Sequence, residues 1–171
     1  LRDLLSHTAG ITVSGFPGYN RSEAMPTTIE VLNGAGNTAP IRVDIPPGMT
    51  RRYSGGGYTV TQLLMSDVTG KDFAELMAEM VLEPVGMADS TFEQPLPEAL
   101  HDRAATAHEA DGTPVDGSWH DYPEQAAAGM WTTPTDLARF AIAVQRGLAG
   151  DDAPVLSADM TREMVTAPVE E

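Results

Sequence analysis

Three consecutive glycines, Gly55-Gly56-Gly57, follow Tyr53-Ser54. Glycine loses more backbone freedom on folding than any other residue, so a triplet needs a structural reason. Close approach of another element or of a ligand, which a Cβ would block, is such a reason. A helix should follow from about Tyr58 to Val68, with Val60, Leu63, Leu64 and Val68 at helical spacing and Gly70 as its stop.

The rest of the chain reads as short elements separated by turns, in keeping with 16 Gly and 13 Pro in 171 residues. Leu1 to Ser6 reads as the end of a helix, broken by His7-Thr8-Ala9-Gly10. Residues 11–26 read as loop. Thr27 or Thr28 caps a short helix through Leu32, stopped by Asn33-Gly34. Ile41-Arg42-Val43-Asp44-Ile45 alternates apolar and polar and predicts a strand, with a turn at Pro47-Gly48. Asp72 starts a further helix with Phe73, Leu76, Met77 and Met80 as an apolar stripe, ended by Pro84 and Gly86. Both Met and Leu stripes read as core. Residues 93–130 lack periodicity and predict a long irregular excursion. Thr133-Pro134-Thr135-Asp136 is a strong helix start, with cap, proline and first-turn acid in order. That helix should run to Arg146, and Ser157 should cap a last one through Val165.

Charge excludes some functions. Acidic residues number 25 against 10 basic ones, a formal net charge of −15. Nucleic-acid affinity rests on neutralising phosphates, so a nucleic-acid partner is not expected. No apolar run is long enough to predict a membrane span. With no cysteine, disulfides, thiolate metal sites and a cysteine nucleophile are excluded, while either side of a membrane remains compatible. The sequence opens on Leu1-Arg2-Asp3 in apparent mid-helix, which predicts a fragment of a longer domain.

Motifs for catalysis are incomplete. Neither Ser14 nor Ser54 sits in Gly-x-Ser-x-Gly. Lys71 is the only lysine; Val68 precedes it by three, and Asp72-Phe73 follows it. These 171 residues thus hold no Ser-x-x-Lys and no Lys-Thr-Gly. There is no His-Glu-x-x-His, so no metal site is expected, although His101, His108 and His120 share one region. The Asp and Glu residues show no acid–base pairing and read as a solvated acidic face. Arg51 and Arg52 flank Tyr53 and either bind a carboxylate or cover surface.

Four stretches in order carry a resemblance. They are Leu4-Leu5-Ser6-His7-Thr8-Ala9-Gly10-Ile11, then Pro47-Gly48 with Tyr53-Ser54-Gly55, then Tyr58–Gly70 with Leu82–Phe92, and finally Ala127–Phe140. Together they resemble the middle section of serine hydrolases of the β-lactamase and penicillin-binding-protein superfamily, including class C β-lactamases, esterases and D-alanyl-D-alanine peptidases. The resemblance implies a mainly α fold with a short β element near residues 41–53. That fold would be the helical part of an α/β sandwich, with residues 1–171 a partial domain. It implies an acyl-serine mechanism on an ester or peptide-like small molecule, with no cofactor. Tyr53 matches the family's catalytic tyrosine, which exchanges a proton with the serine or leaving group beside a lysine. A phenol doing this needs nearby positive charge, and Lys71 lies past the next helix. Gly55 stands where the family usually has a substrate-binding Asn. Its lack of a side chain favours esterase or peptidase-like action over β-lactam hydrolysis, or marks a non-catalytic binder of peptidoglycan-like peptides, or else Gly55 is a backbone turn and another residue fills the role. The chain alone should be inactive, and its exposed apolar faces should favour self-association.

Overall fold

The computed structural model describes residues 1–151 and 153–166. They form two compact units. The first takes Leu1–Phe73 and Glu93–Gly129; the second takes Ala74–Phe92 and the described part of Met130–Glu171.

The first unit is organised by helix α3, Gly55–Thr69, which packs with α1 (Arg2–Leu5), α2 (Thr28–Asn33) and the short α6 (Gln125–Ala128). Its core is Ala9, Ile11, Val31 and Ile41, with Leu4, Val13, Phe16, Leu32 and Val60 against it. The α2 start is a complete capping box: the Thr27 hydroxyl accepts from the Glu30 N–H and the Glu30 carboxylate accepts from the Thr27 N–H. Strands β1 (Tyr19–Asn20) and β2 (His120–Asp121) pair antiparallel, Tyr19 opposite Asp121.

This two-residue ladder lies where the sequence pattern shows no strand. The predicted strand at residues 41–45 is instead a single bridge, Val43 opposite Ile11. Ile41 is buried as expected, but prolines at 40, 46 and 47 bracket the segment and remove ladder donors. Helix α3 also starts three residues before the expected Tyr58, because the glycines form its first turn.

In the second unit, α4 (Phe73–Met77, from Ala74 onward) continues into a wider π turn at Ala78–Leu82 and then α5 (Glu83–Val85). The π turn precedes Pro84, which has no N–H to continue regular pairing. Helix α7 (Pro134–Ala149) packs on α8 (Ala158–Val165) and on α5. Leu76, Leu82 and Met87 are buried. Met80, and in the first unit Leu64 and Val68, are exposed, Val68 by 76%, so the predicted stripes are only partly core.

Candidate active site

The site is built on the N-terminus of α3. The first N–H groups of a helix have no partner within it. Here a loop supplies them: Gly55 N–H donates to the Ser14 carbonyl at 3.1 Å and Gly56 N–H to that of Val13 at 3.1 Å. Ser54 is the cap. Its Oγ accepts from the Gly57 N–H at 3.1 Å and donates to the Thr12 carbonyl at 2.8 Å. Ser54 is 2% exposed and its hydroxyl is committed to this cap, so it is no free nucleophile.

The docking explains Gly55 and Gly56, whereas a Cβ on Gly57 would come no nearer than 3.7 Å, to the Leu4 carbonyl oxygen. A Cβ on Gly56 would lie 2.7 Å from the Thr12 carbonyl oxygen and 3.0 Å from Ile41. One on Gly55 would lie 3.1 Å from both the Phe16 ring and the Ser14 carbonyl oxygen. The expected close approach is thus to backbone and core side chains. Gly55 itself is buried in the first turn of α3.

Tyr53 precedes this cap on an extended, tightly held segment. Its neighbour Arg52 donates its N–H to the His7 carbonyl at 2.8 Å. The Arg52 guanidinium donates to the Gly10 carbonyl at 2.9 Å and ion-pairs with Asp44. Ser54 N–H donates to His7 Nδ1 at 3.2 Å. Between these pinned neighbours, Tyr53 is 59% exposed. Its ring lies 4.6 Å from the His7 ring, which is also 5.3 Å from Tyr58. Of the two arginines, Arg52 ties the loop down and Arg51 is exposed.

His7 was not singled out by residue chemistry alone, although it lies inside the first stretch of resemblance. It holds φ of 61°, unusual for a residue with a Cβ. Burial first, then the positive charge of Arg51, lower its pKa from the ordinary histidine value.

The other histidines make local contacts away from Tyr53. His101 contacts Arg21 and the Leu96 carbonyl and meets the Trp119 ring edge-on. His108 contacts the Thr106 carbonyl and His120 that of Pro17. Among the described residues no group of His, Asp and Glu is placed to hold a metal ion. The reading of the acids as a solvated face needs correction at three positions. Asp121, Glu124 and Asp136 are buried, because strand β2 and the starts of α6 and α7 carry them inward where periodicity gives no sign.

The β-lactamase family model matches residues 1–170, and the chain belongs to that family. Among solved structures, D-amino acid amidase from Ochrobactrum anthropi SV3 complexed with L-phenylalanine amide is 25% identical with a TM-score of 0.69. The match covers 95% of this chain and 46% of that one. A penicillin-binding protein from Bacillus halodurans matches with TM-score 0.72 at 20% identity, over 99% of this chain and 51% of that one. A β-lactamase/D-alanine carboxypeptidase from Pseudomonas syringae matches with TM-score 0.60 at 22% identity, over 88% and 39%. The chain thus spans about half the length of these proteins or less. No match was found among curated protein sequences. Among the described residues no helix is long and apolar enough to cross a membrane.

Proposed function

We propose that this chain supplies the tyrosine side of an acyl-serine site in a hydrolase acting on an ester or peptide-like small molecule. Tyr53 would exchange a proton with the serine or the leaving group. The serine and its lysine would come from outside these 171 residues, which contain no Ser-x-x-Lys. The observation that carries this reading is an exposed Tyr53 between two neighbours whose N–H groups are both fixed on His7. A proton-exchanging group needs such placement more than it needs burial. The resemblance to a D-amino acid amidase adds amides to the substrate classes to be tried.

The test is hydrolysis of chromogenic esters, amides and a cephalosporin by the full-length parent and its Tyr53→Phe variant. The variant should lose at least about 100-fold in kcat. A variant retaining wild-type turnover would refute the role. A parent that binds peptidoglycan-like peptides but turns over none of these substrates would support the non-catalytic reading, for which the missing side chain at Gly55 argues. The isolated chain should be inactive. Leu137 and Ile142 on α7 and Met160 and Met164 on α8 are exposed, and we expect them to promote self-association, measurable by light scattering.

A further inference from the structure

We propose that His7 is the positioning residue for Tyr53: its neutral ring clamps the segment that carries the tyrosine, and protonation of that ring releases it. The inference rests on the reading of Tyr53 as the proton-exchanging group, but its geometry stands apart from any reaction.

Residue His7 grips residues 52–54 at two points. Its carbonyl accepts from the Arg52 N–H at 2.8 Å, and its Nδ1 accepts from the Ser54 N–H at 3.2 Å. Tyr53 lies between those two bonds, with its ring 4.6 Å from the imidazole. A ring nitrogen that accepts must carry no proton, so the proton sits on Nε2. Adding a second proton, at Nδ1, would set one N–H against another and break the bond to Ser54. The backbone carbonyl bond would remain. The clamp would therefore loosen at its Ser54 end, immediately beside Tyr53 and the cap of α3.

The positive φ of His7 supports the same assignment. Glycine would adopt it at lower cost. A strained residue with a ring acceptor aimed at a fixed donor is an outlier that calls for a functional reason. The groups around the ring are consistent with a neutral imidazole. Arg51 repels a second positive charge. Tyr53 and Tyr58 present their rings. From α1, the Asp3 carboxylate is engaged by the Thr8 hydroxyl. Because the folded pKa of His7 is lowered, the clamp is intact above about pH 6.5 and is lost as pH falls through the folded value.

The test is a pH titration of the full chain by NMR, with no substrate. The His7 ring nitrogens should report an Nε2-protonated neutral ring at pH 7.5 (about one unit above the free histidine value). The Ser54 amide and the Tyr53 ring signals should then shift together, with one midpoint below about 6.5. His7→Asn should keep Ser54 protected from hydrogen exchange, since Asn accepts through Oδ1 and tolerates positive φ, but should abolish the pH dependence. His7→Ala should lower Ser54 protection about tenfold, the loss expected for one hydrogen bond. Ser54 and Tyr53 signals that ignore pH while His7 titrates would overturn the proposal. So would a His7→Asn variant that keeps the wild-type pH response, even if His7→Ala fails to fold. None of these outcomes depends on whether Tyr53→Phe loses turnover, so the two readings fail separately.

Discussion

Glu124 in the first unit and Asp136 in the second are both 0% exposed, yet they are held in opposite ways. Asp136 is surrounded by donors. It accepts from the Ser90 hydroxyl at 2.8 Å, from the Asp89 N–H at 2.8 Å and from Arg139. Burial by itself pushes its pKa up, but Ser90, Asp89 and Arg139 together outweigh that and leave it lowered. Among the described residues, no other residue hydrogen-bonds either carboxylate oxygen of Glu124. Burial pushes its pKa up, and its own backbone N–H offsets only part of this. The environment shifts the same chemical group toward the charged form at one site and toward the neutral form at the other. Donors, not burial, decide the sign.

The sharpest way to break the comparison is Asp136→Ala. It removes the acceptor shared by the Asp89 N–H, the Ser90 hydroxyl and Arg139, and Tm should fall by roughly 10 °C at neutral pH. Calorimetry would show it. Because the folded pKa of Asp136 is lowered, its contribution is complete above the ordinary value of about 3.9 and disappears as pH falls through the folded value. The gap between wild type and variant should close in acid.

Glu124→Gln should act in the other direction. A raised folded pKa means that stability is present below the ordinary glutamate value, about 4.3, and is lost as pH rises. The variant removes that loss, so its Tm should exceed wild type by a few degrees near pH 8, with little difference near about pH 4. A variant destabilised equally at both pH values would overturn this assignment. The smallest effect belongs to Ser90→Ala, which removes one of Asp136's donors. Urea unfolding should show a loss of about 1 kcal/mol, and the acid midpoint of Asp136 should move upward.

The two carboxylates also differ in how far the sequence shows them. Asp136 sits three residues after Thr133, whose hydroxyl accepts the Asp136 N–H at 3.2 Å, and Arg139 is three residues further on. These are local relations within one helix start. The cap and the position of the acid were legible, although the burial was not. Nothing near Glu124 repeats or alternates, and its burial follows from the packing of α6 on α3. The candidate site shows the same division. Tyr53 and the glycine triplet are marked in the sequence, and Gly55 departs from the family pattern there. The role of His7 was hidden, because it depends on a bond to a residue 47 positions away.

The sequence by itself determined the helices with local start and stop signals: α2 by its capping box, α7 by Thr133-Pro134, α8 by Ser157, and the end of α3 by Gly70. Such signals act over three or four residues, so they can be read in a string. It also determined the family, through four stretches in order, and pointed to a close approach at the glycine triplet, which holds at Gly55 and Gly56. The tertiary structure decided what makes that approach: the carbonyls of residues 12–14 with Ile41 and Phe16. It also decided where α3 begins, which acids are buried, and that the predicted strand at residues 41–45 is a single bridge. Those outcomes depend on hydrogen bonds and contacts between distant residues. Their energies are set by partners that only folding brings together.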